Sequence, residues 1–152
     1  MQPISTVLVA LALTVLPALA PAQAPAAPAP IASQETNWPG ITADLTEFRR
    51  KGNTLTAKLR LTATSKSEYA VDYKEVSLVD AAAGKKYEVL KDDKGTYLAA
   101  TRPGWPEKIY GELAAGQSVL LWMKFPAPPA DVKTISLTLP SMAPFDDVAI
   151  QD

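Results

Sequence analysis

Between Asn53 and Ala63 apolar and polar residues take strict turns. Leu55, Ala57, Leu59, Leu61 and Ala63 share one parity, and Thr54, Thr56, Lys58, Arg60 and Thr62 share the other. A period of two is the pleat of a strand with one face buried and one wet. Ile41, Ala43 and Leu45 alternate in the same way, and the phase then slips near Glu47 and Phe48. One extra residue in one strand of a pair produces such a slip, so a β-bulge is expected there. Arg50-Lys51-Gly52-Asn53 reads as the turn joining these two strands.

Further along, the strands shorten. Val76 to Asp80 and Lys86 to Leu90 flank Ala81-Ala82-Ala83-Gly84, and Asp92-Asp93-Lys94-Gly95 makes a second tight turn. Thr96 to Ala100 is expected as a strand after it. Val119 to Phe125 is apolar on both parities, which predicts a central strand covered on both faces, with Trp122 in the core. Ile135, Leu137 and Leu139 alternate until Pro140 stops them, and Val148 to Ile150 reads as a short last strand. Beyond the first residues, no stretch repeats apolar residues at helical spacing. Seven or eight short strands with frequent turn signals predict an all-β fold, an antiparallel β-sandwich, with a closed barrel as the alternative.

The opening of the chain follows a different pattern. No charged residue occurs before Glu35. Val7 to Leu16 is apolar except for Thr14, Pro17 breaks the run, and Ala18, Ala20, Ala22 and Ala24 follow. The run is shorter than the roughly 20 residues of a bilayer span. With its small-residue exit it predicts a secretory signal peptide over residues 1–22, cleaved after Ala22. Export then places the protein in the periplasm or outside the cell, with no permanent membrane span after cleavage. Residues 23–37 are rich in proline and alanine and read as a linker, either an extended spacer or an unstructured N-terminus. Residues 38–152 form the expected β domain.

Composition narrows the chemistry. The 152 residues include no cysteine and no histidine, and the formal net charge is -1. Disulfides are impossible, and thiol or histidine-based nucleophilic catalysis has no base or nucleophile. Near-neutral charge leaves no footprint for nucleic acid. Nothing calls for a cofactor.

Among the candidates for function, the loop Arg102-Pro103-Gly104-Trp105-Pro106, with Tyr97 and Tyr110 nearby in sequence, stands first. It presents an aromatic on a stiff scaffold, and binding residues concentrate on such loops. Arg102, Trp105 and Tyr110 are the candidate contact residues, for a protein or envelope partner or, alternatively, for a carbohydrate or small ligand. The competing reading makes Trp105 a cap on the hydrophobic core. Asp92-Asp93 and Asp146-Asp147 supply too few oxygens for calcium, and the first pair reads as turn formers. No spacing selects two of the acidic residues as a glycosidase pair. The basic run Arg49-Arg50-Lys51 reads as a solvated hairpin end.

Two segments carry a resemblance. One comprises Leu78-Val79-Asp80, Gly84 to Leu90 and Asp92 to Gly95; the other runs from Leu113 through Gly116, Leu121 to Pro129 and Pro144 to Ile150. Together they resemble a bacterial extracytoplasmic immunoglobulin-like module, similar to the N-terminal module of some OmpA-type envelope proteins. The resemblance implies an immunoglobulin-like sandwich, an exported location and no catalysis. It carries over no functional residue. The sequence ends at Asp152 without the peptidoglycan-binding domain of those envelope proteins, so no wall-anchoring role is expected from it. The reading as a whole is an exported, non-enzymatic binding or structural module of the cell envelope.

Overall fold

The computed structural model describes residues 26–152, so the predicted signal peptide and the first linker residues lie outside the described residues. The described chain is all-β. Its strands are β1 (Ala32–Glu35), β2 (Ile41–Lys51), β3 (Thr54–Ala63), β4 (Ser67–Asp72), β5 (Ser77–Asp80), β6 (Lys85–Glu88), β7 (Lys108–Leu113), β8 (Ser118–Pro126), β9 (Thr134–Thr138) and β10 (Phe145–Ala149). One turn of 3₁₀ helix, Tyr73–Glu75, joins β4 to β5. Among the described residues no helix is long and apolar enough to cross a membrane.

Two four-stranded antiparallel sheets run in the orders β1-β2-β3-β8 and β10-β9-β5-β6, and β4 pairs with β7 in a separate two-stranded ladder. The long β2–β3 hairpin follows directly from the alternation. Leu55, Ala57, Leu59 and Leu61 are fully buried, while the intervening threonines and basic residues face outward. The register of β2 on β3 shifts between Leu45 and Glu47, where the phase slip fell. The inward side chains of both sheets and of the ladder belong to one buried cluster, with Phe48, Tyr73, Phe125 and Phe145 its largest members.

Several expectations change. Ala32–Glu35, within the stretch read as linker, pairs with β2 from Ala32 opposite Leu45 to Glu35 opposite Thr42. A proline-free stretch beside an open sheet edge can fill its backbone hydrogen bonds there. Thr96 to Ala100 is not a regular strand. It makes only isolated bridges, Tyr97 to Lys91 and Ala99 to Met123, and lies along the outer edge of β8 through Ala100 N–H to the Trp122 carbonyl at 2.8 Å.

β8 is not covered on both faces, and Trp122 is not in the core. Leu121, Met123 and Phe125 are buried, but Leu120 and Trp122 are 53% and 37% exposed. Among the described residues no second sheet covers that face, so the outward parity of β8 stays partly open to solvent. Neither β4 nor β7 was expected; their alternation is short and interrupted, by Ala70 and Gly111, and becomes a strand pattern only when the two pair.

Candidate functional site

The ladder of β4 and β7 carries the candidate loop. Arg102-Pro103-Gly104-Trp105 is a tight turn closed by Trp105 N–H to the Arg102 carbonyl at 2.9 Å. Gly104 takes a φ of +82°. Proline second and a left-handed glycine third are the demands of a type II turn. The turn lifts the Trp105 side chain to 47% exposure, so it is a presented surface aromatic and not a cap on the core.

Tyr110 stands on the outward face of β7, 36% exposed. Its ring meets that of Trp105 edge to face, with centroids 5.6 Å apart and planes at 89°. Arg102 ties the arrangement together. Its Nη1 donates to the Tyr110 carbonyl at 3.1 Å, and its guanidinium lies 5.6 Å from the centre of the Tyr110 ring. The three predicted residues therefore form one cluster.

The structure adds Lys108, which the sequence reading passed over. Its ammonium sits 4.7 Å from the Trp105 ring centre and 5.8 Å from that of Tyr110. A cation over an aromatic face is attracted by the ring quadrupole. The signal for it was present, since Lys108 precedes Tyr110 by two and shares its face in any strand.

This cluster borders an open cleft of about 1040 Å³, which also reaches Trp38, Lys66, Glu68, Tyr69 and Glu112. Trp38 comes from a remote part of the chain. Gly40 brings it there: a Cβ at that position would lie 2.4 Å from Ser65 Oγ, and its carbonyl accepts from Thr64 N–H at 2.8 Å. A φ of +69° favours glycine at this position, and the approach holds Trp38 and Pro39 at the cleft that Lys66 also lines. Tyr69 lines the floor. Burial pushes its phenol above the ordinary tyrosine value, and the nearby Arg102 charge pulls partly the other way.

Tyr97 does not join the site. It packs on Tyr73 at 5.9 Å, with Lys91 4.4 Å from its ring centre. Asp92 is a turn former as expected, its Oδ1 accepting from Lys94 N–H and Thr96 N–H, each at 2.9 Å. Asp146 and Asp147 are exposed on β10.

The basic run divides. Arg49 and Lys51 face solvent, but Arg50 is buried and serves the fold. Its guanidinium donates to Asp152 at 2.7 Å and to the Pro129 carbonyl at 2.8 Å.

Comparison of the chain with known protein families, with curated proteins and with solved structures finds no match.

Proposed function

We propose that this protein is an exported, non-enzymatic binding module of the bacterial cell envelope, built as an immunoglobulin-like sandwich, and that it engages a protein partner through the cleft at Trp105. The strand order supports the fold reading. In chain order β2, β3 and β8 occupy the places of strands A, B and E of such a sandwich, and β10-β9-β5-β6 the places of G-F-C-C′. The β4–β7 ladder is then an addition, made from the B–C and C′–E connections.

The single observation that carries the functional reading is the cluster of Arg102, Trp105 and Tyr110 on one exposed face. Trp, Tyr and Arg are the residues enriched where binding energy concentrates in protein interfaces. Chain composition argues in the same direction. Without histidine or cysteine, the cleft offers recognition groups and no activated nucleophile with its base. A stacked sugar is the weaker reading, because Lys108 and Arg102 already occupy positions over the two exposed rings.

The test is capture from an envelope extract by the wild-type chain and by Trp105→Ala. A partner held by the wild type and lost by Trp105→Ala is expected. Equal capture by both forms removes this cleft as the site. Enhanced tryptophan fluorescence with a glycan or peptidoglycan fragment, and not with protein, would move the reading to carbohydrate.

A further inference from the structure

The cleft has two electrostatic poles. Across the ladder the outward-facing residues pair as Glu68 with Glu112, Ala70 with Tyr110 and Asp72 with Lys108. Like charges set opposite each other are destabilising unless something relieves them. Lys66 relieves one, 3.1 Å from Glu112. Glu68 makes no ion pair among the described residues.

The other end of the ladder is cationic. Lys108 and Arg102 lie over aromatic rings, and neither makes an ion pair among the described residues. Asp72, opposite Lys108 in register, is taken by Lys74 at 3.1 Å. Between the poles stands the row of Ala70 and Tyr110, without charge. Lys108 and Glu112 are four residues apart on β7, and a strand rises about 3.3 Å per residue, so the poles are about 13 Å apart.

We propose that the cleft takes an extended segment of a protein partner with ordered charges: a carboxylate against Arg102 and Lys108, an uncharged middle over Tyr110, and a lysine or arginine against Glu68. This rests on the reading of the cleft as a partner site and specifies the partner's chemistry. In an extended chain, residues four apart project from one face with the same spacing of about 13 Å. One strand-like segment therefore satisfies both poles, whereas an all-acidic or all-basic segment meets repulsion at one end. Mismatched charge of this kind sets specificity and orientation.

The probe is a blocked, extended peptide, Ser-Glu-Leu-Thr-Val-Lys-Ser, with its two charges four residues apart. It is titrated into the full chain carrying Trp122→Phe, whose remaining tryptophans, Trp38 and Trp105, both line the cleft. The comparison peptides carry Glu at both charged places, Lys at both, or Gln at both. The bipolar peptide is expected to bind at least about fivefold tighter than each of the others. Glu68→Lys should turn the preference to the two-Glu peptide, and Lys108→Glu with Arg102→Gln to the two-Lys peptide. A change of preference cannot come from unfolding.

Equal binding of all four peptides, or binding of none, overturns the ordered-charge assignment. The reading of the cleft as a partner site is judged separately, by whether capture from extract still depends on Trp105.

Discussion

Arg50 was the middle of a charge run in sequence and is one of two buried charged residues, with Asp80, among the described residues. Besides Asp152, it donates to the carbonyls of Pro128 at 3.3 Å, Pro129 at 2.8 Å and Val132 at 3.3 Å. Pro128 and Pro129 lack N–H groups, so the corner they form has acceptors without neighbouring donors. The fixed fork of a guanidinium supplies them, which an ammonium cannot do as fully. Arg50→Met keeps the apolar stem and removes the donors. It should lower stability by about 1–3 kcal/mol, the cost of leaving buried carbonyls unpaired. The measurement is a lower urea midpoint with an unchanged slope. Asp152 completes this contact at the surface. Its hydrogen bond from Arg50 holds the carboxyl below the ordinary carboxylate value. A carboxyl depressed in the folded state adds stability above its unfolded pKa and loses it as pH falls through the folded value. Asp152→Asn should therefore flatten the acid limb of the stability profile below about pH 4 and leave the neutral-to-alkaline limb unaltered in slope. Acid titrations of both proteins by circular dichroism would show it; parallel acid limbs would refute it.

At the scale of elements, β8 separates what a pattern says from what a neighbour says. Ser118 to Pro126 pairs along its whole length with β3, with Leu121 opposite Leu59 and Trp122 opposite Lys58. The alternation is real but is masked in sequence, because Leu120 and Trp122 on the wet parity are as apolar as their buried neighbours. Two substitutions expose the difference. Leu121→Ala, in the core, should cost about 2–5 kcal/mol. Trp122→Lys, one residue on, should cost clearly less than Leu121→Ala, about 1 kcal/mol, because the indole is 37% exposed and the lysine stem keeps part of its cover over the sheet. Equal losses in urea unfolding would mean that the outer face of β8 is covered after all. The candidate site shows the same division. The Arg-Pro-Gly-Trp turn was legible because its chemistry is local: proline sets one φ and glycine permits the other. Trp38 was not legible, since it reaches the cleft only where two distant segments meet, with Thr64 N–H donating to the Gly40 carbonyl at 2.8 Å. The opposed glutamates were not legible either, because register across a ladder is not written in either strand alone.

For the molecule as a whole, the sequence by itself determined the all-β class, the β2–β3 hairpin with its bulge, and the aromatic turn. These depend on period, on turn chemistry and on the parity of side chains, which act within a few residues. Tertiary structure alone decided the rest. It placed β1 on the edge of β2, paired β4 with β7, left Trp122 on the outer face of its sheet, and buried Arg50. The physical reason is common to all four. Whether a strand face is wet, an edge is filled or an ion is sheltered depends on what another part of the chain sets against it. That is a property of the assembled layers and not of any local run of residues. The same holds for the cleft: Trp105 and Tyr110 could be named from their order along the chain, but the two charged poles exist only because β4 and β7 lie side by side.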